Sequence, residues 1–364
     1  GKNKYVYTFE GPPLFIKYTS GVQKPIGSDE LSETLSSLTE NDRLFIHWFT
    51  DDLMQHLSLL KPNVPVYLLF WGGDFLEQPA EFVKFNLEPE TYKIVDFLNH
   101  RSMFYFTLNP VKIIKQLVSY FTVNQRWGEY RSNAVKVRKQ FMERLNYFCH
   151  WNEADLHRVT GIYGGKPVFK KFFYDFGFSN FADEVVTPHS GDTKLIWLGN
   201  SATFPNNHAD ALMQLKQFHQ ENIKIVAPLS YGHLKYGRMI SKLGKRYFKD
   251  KFYGMEKFIP LNEYLELLKD VDVVVMYHNR TQAGVNVFAF LRMGKKVFLK
   301  KESTIYSLAV ENGVKVFDAN LIGKMSYEEF ITPLSHDERE QNRKMVSDMF
   351  SEENRHAYMQ ELLN

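Results

Sequence analysis

"KLIWLGNSATFPNNHADALMQLKQFHQENIKIVAPL", residues 194–229, holds the pattern on which the fold turns. An apolar run over 194–199 breaks into small polar residues, a stretch with helical spacing occupies 207–220, and a second apolar run closes the segment at 223–229. Continuous apolar runs joined by an amphipathic stretch predict parallel strands linked by a crossover helix. The alternation continues with a helix over 236–248, a strand over 251–255, a helix over 261–270, a strand over 271–278, a helix over 285–294 and a strand over 296–301. Strict alternation of this kind predicts a doubly wound α/β domain.

The first half alternates less clearly. Strand-like runs at 4–9, 43–49, 65–71 and 102–107 flank helical spacing at 51–60 and 79–87. The pattern dissolves into glycine, aromatic and turn residues over 159–193. A chain of 364 residues exceeds what one core usually supports. The expected division is a first domain over 1–187, a second over 188–336, and charged terminal helices over 337–364 that pack back on the first domain.

Composition narrows the function classes. A single cysteine, Cys149, rules out an internal disulfide and points to a reducing, cytoplasmic compartment. No apolar stretch approaches the roughly 20 residues of a membrane span, and residues 1–11 lack the apolar core of a signal peptide. A net charge of +3 is too small to imply nucleic acid. Locally, 112–144 is strongly basic and interleaved with aromatic and aliphatic residues, with Lys136, Arg138 and Lys139 at its densest point. It reads either as a surface for an anionic membrane or phosphorylated substrate, or as solvated amphipathic helices.

In open parallel sheets ligands bind outside the carboxyl ends of the strands, where helix N-termini offer N–H groups. The residues in those positions are polar throughout: Asn200 and Ser201, then Ser230 and Tyr231, then Glu256 and Lys257, then the run from His278 to Gly284. Arg280 can offer a fork of donors to a phosphate, and Gly284 permits close backbone approach before a helix starts. The loop reads as a diphosphate site, although Asn279 and Thr281 also suit a turn and a cap. In the first half, His47 closes a strand, and Asp74 follows Trp71-Gly72-Gly73, where a partly desolvated carboxylate could act as general base. Gly-Gly-Asp is equally a plain turn, and a histidine in an aromatic strand is equally a core residue.

Other patterns carry less. Asp270-Val271-Asp272 imitates a metal pair but precedes its strand, at the opposite edge of the sheet. His150, Glu153 and His157 share helical spacing without a fourth ligand. No metal site is expected, and the absence of a Walker loop and of GxGxxG argues against an ATPase or a dinucleotide enzyme.

At 197–212, 223–232, 264–299 and 70–77 the chain resembles the bacterial TDP-N-acetylfucosamine:lipid II N-acetylfucosaminyltransferase family, glycosyltransferase family 56, in segment order across roughly residues 40–300. The resemblance implies a GT-B fold, two Rossmann-like domains facing across a cleft, with no cofactor and no required metal. It implies a TDP-sugar held by the second domain and an undecaprenyl-diphosphate-linked saccharide held by the first, on the inner membrane face. Asn200, Ser201, Asn207 and His208 would then lie near the donor. Arg280, Gln282 and Gly284 match the diphosphate or sugar loop, Tyr231 the nucleotide end, and Asp74 and His47 the catalytic positions. Thr281 and Asn286 depart from the family pattern, which leaves room for a different deoxy or amino sugar. Two rival expectations remain: a nucleotide-sugar epimerase of the same fold, and a non-catalytic module that binds nucleotide sugars or glycolipids.

Overall fold

A strand buried on both faces needs no polar alternation, and the second half is built from such strands. Val273–Met276 and Lys296–Leu299 are buried along their whole length in the computed structural model. That structure describes residues 5–7, 21–24, 26–77, 85–100, 133–175 and 191–363. The chain divides into two compact units. Among the described residues the first comprises those up to 77 together with 133–171, and the second comprises 85–100, 172–175 and 191–363.

In the first unit a short parallel pair, β1 (Tyr5–Tyr7) and β2 (Gly21–Gln23), accompanies a parallel sheet. Its strands are β3 (Leu44–Ile46), β4 (Val66–Leu69), β5 (Tyr147–His150) and β6 (Val168–Lys171), in the order 3-4-5-6. Aromatic residues fill its core. Phe49 lies 4.2 Å from Phe141 between ring centres, and the Tyr163 hydroxyl donates to Phe75 O at 2.7 Å. β5 and β6 were not anticipated, because short aromatic strands beside a basic helix (133–144) carry no clear period. The strand expected at 102–107 lies outside the described residues.

The second unit has one parallel sheet of six strands: β7 (Lys194–Leu198), β8 (Ile223–Pro228), β9 (Phe252–Met255), β10 (Val273–Met276), β11 (Lys296–Leu299) and β12 (Phe317–Asp318). Its order, 12-11-10-7-8-9, reverses direction between β7 and β10. All pairings are parallel. This is the doubly wound α/β topology, and the reversal is its switch point.

Two expectations about organisation change. The helix Pro89–His100 belongs to the second unit, although it precedes much of the first in the chain, and Ile94 and Leu98 pack against the second unit's core. The boundary expected near 188 falls outside the described residues. The terminal helix His336–Met349 belongs to the second unit and packs on Gly284–Arg292 there, with Val346 fully buried and the Phe350 ring 4.6 Å from Phe288. No helix among the described residues is long and apolar enough to cross a membrane.

Candidate active site

The edge of the sheet at the switch point is assembled by a turn that only glycine can start. Gly199 ends β7 with φ +70°, and a Cβ there would stand 2.7 Å from both Asn206 Oδ1 and His208 Nε2. Asn206 then folds the turn. Its Oδ1 accepts from the Asn200 N–H at 2.9 Å and from His278 Nε2 at 2.9 Å, while its Nδ2 donates to Ser201 Oγ at 3.2 Å and Thr203 Oγ1 at 2.9 Å. Because Oδ1 can only accept, His278 carries its proton on Nε2. Burial, with Arg280 and His208 adding, drives the His278 pKa well below the usual histidine value. His208, fully buried, is pushed down to about 3 by burial alone and sits 3.3 Å from the Tyr236 hydroxyl. Both imidazoles are neutral.

Above this floor lies an open polar lip. Gln282 Nε2 donates to Asn200 Oδ1 at 3.0 Å and to Thr203 Oγ1 at 3.1 Å, and Asn200 Nδ2 donates to the Tyr231 hydroxyl at 3.1 Å. Tyr231 is 46% exposed and nearly parallel to Phe258, 76% exposed, with ring centres 6.2 Å apart. Ser230 adjoins this edge, and Glu256 and Lys257 are exposed on the same loop as Phe258. The loops after β7, β8, β9 and β10 thus contribute to one surface.

The helix Gly284–Arg292 begins beside Gln282. Ala283 precedes it with φ +56°, and no side chain caps it. Uncapped N–H groups and the positive end of the helix dipole are what an anionic ligand requires. Gly284 and Asn286 lie in its first turn, partly exposed. Arg280 is 6% exposed, and its Nη1 donates to Thr281 O, so it braces the loop from beneath rather than standing in solvent. The Thr281 hydroxyl pairs with that of Thr304, and Ser303 Oγ donates to Arg280 O at 3.3 Å.

Asn207 does a different job from the one expected. It is fully buried; its Nδ2 donates to Asn86 O at 2.9 Å and Tyr277 O at 3.0 Å, and its Oδ1 accepts from the Glu88 N–H at 2.9 Å. Ser201 and His208 are likewise buried. These three support the site and do not face it. Asp210 completes the fastening by accepting the N–H groups of Glu90 and Thr91 at 2.8 Å each. The Glu88 carboxylate takes the Lys300 ammonium and the Asn279 Nδ2, the latter at 2.8 Å.

In the first unit, His47 follows β3 and is exposed, yet desolvation by its surroundings holds its pKa below the usual value. Asp74 is fully buried, with Oδ2 accepting from the Phe49 N–H at 3.2 Å. Burial pushes its pKa up to about 6 against that bond. Arg138, expected at a membrane surface, is 1% exposed; it donates to Asp74 O at 2.9 Å and pairs with Asp51 at 2.6 Å. Lys136 and Lys139 beside it are exposed, and 112–132 lies outside the described residues. His150 pairs with Asp155 at 3.0 Å.

Residues 178–335 match the family model described as 4-alpha-L-fucosyltransferase, glycosyl transferase group 56. The matched stretch falls within the second unit and is similar to the glycosyltransferases of that family. Among solved structures, alpha,alpha-trehalose 6-phosphate synthase from Burkholderia multivorans is 10% identical, with 92% of this chain and 72% of that one covered at a TM-score of 0.53. HepE from Anabaena, solved with UDP and glucose, is 13% identical, with 92% and 94% covered at 0.50. Sucrose-phosphate synthase from Thermosynechococcus elongatus is 11% identical at 0.52, and this chain spans only 61% of it. These likenesses give the fold, the GT-B glycosyltransferase fold.

Within the second unit, sequence reading missed Phe258, Asp210, Glu88 and Lys300. Phe258 was within reach, since it follows Lys257 directly after a strand. Glu88 and Lys300 were not, because nothing local links residues 212 apart.

Proposed function

We propose that this glycosyltransferase moves a TDP-activated deoxyhexose, N-acetylated and Fuc4NAc-like, to an undecaprenyl-diphosphate-linked saccharide in surface polysaccharide synthesis, as a peripheral protein on the inner face of the cell membrane. One observation carries the donor half of this reading: an uncapped helix N-terminus, Gly284–Arg292, beside the Asn200–Gln282–Tyr231 lip at the switch point of the stretch that matches group 56.

The chemistry follows from the charge that develops. As the acceptor hydroxyl attacks the anomeric carbon, the carbon–oxygen bond to the diphosphate breaks and negative charge accumulates on the leaving group. Helix N–H groups, with the Arg280 charge behind them, stabilise that charge without a metal. Tyr231 and Phe258 offer ring faces to the base, and Gln282 and Asn200 offer polar groups to the sugar or diphosphate. His47 takes the acceptor proton: its lowered pKa keeps it neutral at pH 7. Asp74, buried, positions the loop after β3 through Phe49 rather than meeting the hydroxyl itself. Lys136 and Lys139, exposed in the first unit, serve the acceptor's diphosphate.

The test is transfer of labelled sugar from TDP-Fuc4NAc to a lipid-linked disaccharide, followed as label moving into the lipid-extractable fraction. Label in lipid that depends on both substrates supports the reading. Interconversion of the nucleotide sugar without acceptor would replace it with an epimerase, and binding without turnover would replace it with a recognition module.

A further inference from the structure

The helix Leu234–Phe248 bears Lys235, Arg238, Lys242, Lys245 and Arg246 and no acidic residue, and Lys249 follows it. All six are exposed, and none forms an ion pair among the described residues. Helix stability does not explain this set. Lys245 and Arg246 in the last turn suit the dipole, but Lys235 near the first turn opposes it, and Arg238, Lys242 and Arg246 repel one another at spacings of four.

One position round the same helix, Met239, Leu243 and Tyr247 line an apolar groove of about 240 Å³, whose other wall is Ile94, Phe97 and Met213. Phe97 is 50% exposed and Met213 46%. Lys216 lies over the Tyr247 ring at 5.0 Å, so the groove has cations on its rim as well. Its nearby acids are occupied: Glu90 holds Lys93 at 2.6 Å, and Asp210 holds backbone N–H groups. A row of unpaired cations beside an open apolar trough complements a surface that is anionic at its heads and apolar just below.

We propose that this face of the second unit is the membrane contact: the cations of Leu234–Phe248 meet anionic phospholipid headgroups while the groove takes an acyl chain. The proposal rests on the lipid-linked acceptor for its purpose, since it assigns the surface that brings the enzyme to that acceptor. Its test uses neither donor nor acceptor, so its failure would leave nucleotide binding to be judged separately.

The full chain is sedimented with vesicles of phosphatidylcholine alone and of phosphatidylcholine mixed with phosphatidylglycerol. Pelleting with the anionic vesicles only, weakened by salt, is expected. The triple variant R238E/K242E/R246E should lose it, whereas the charge-matched K224E/K324E/K344E, on other exposed surface, should keep it; circular dichroism checks that both are folded. Phe97→Trp should shift its emission to the blue on anionic vesicles. Equal binding by the triple variant, equal binding to neutral vesicles, or pelleting without vesicles would overturn the proposal. Binding with unchanged Trp emission would overturn the groove's part in it.

Discussion

Gln282, from the loop after β10, donates to Asn200 Oδ1, from the turn after β7, at 3.0 Å across the switch point of the sheet. The bond preorganises two loops that the chain separates widely. Gln282→Ala removes it, together with the contact to Thr203, at a partly exposed position where a small side chain is tolerated. The expected result is a KM for the nucleotide sugar raised about tenfold, the loss of roughly one net hydrogen bond, with melting temperature unchanged. Steady-state kinetics at varied donor concentration measure it.

Asp210 caps a helix from which it is far removed in sequence. Its two oxygens take the N–H groups of Glu90 and Thr91, which no intrahelical carbonyl can serve. Asp210→Ala is expected to cost about 1–2 kcal/mol, read as a lowered denaturant midpoint at constant m-value. Asp210→Asn keeps one acceptor and should cost less.

Asp74 gives a pH signature. Its carboxyl is raised to about 6 by burial, so the folded protein holds this proton more tightly than the unfolded chain does. The stability it contributes is complete below the ordinary carboxylate value and is lost as pH rises through about 6, a swing of about 3 kcal/mol by linkage. Asp74→Asn should flatten this part of the stability–pH curve and melt higher than the parent above pH 6. Because the group is buried, transfer activity should survive the substitution within about tenfold, far from the 10²–10⁴ that removal of a general base costs.

His47 should behave oppositely. His47→Gln is expected to lower kcat by about 10²–10⁴ with the fold intact. In the parent the base is active when neutral, and its pKa is lowered, so the acid limb of the rate profile should fall below the usual histidine value of 6.5. A pH series of kcat on both proteins checks the pair of expectations.

How much of this was legible beforehand depends on how local the signal was. The second unit's strands could be read because burial on both faces writes unbroken apolar runs, and the polar strand ends followed because they come directly after such runs. Asn200, Tyr231 and Gln282, singled out in that way, do come together at the strand ends. Asn207 and His208 carried the same polar signature but turned inward, since a buried turn satisfies its own backbone with the residue types that would serve a ligand. The helix Pro89–His100 could not be assigned to its unit: what holds it is a set of bonds from Asn207, Asp210 and Lys300, each more than a hundred residues away. Arg138 misled for a similar reason, its charge being matched by Asp51 across 87 residues.

The central claim, that the strand ends of the second unit hold a nucleoside diphosphate, is tested most directly by the thermal stability of the purified protein with TDP, UDP, GDP and CMP in parallel, with and without magnesium. A ligand bound only to the folded state raises the melting temperature by mass action. The account predicts a rise selective for TDP, indifferent to metal and reduced in Gln282→Ala and Phe258→Ala. No rise with any nucleotide would contradict it.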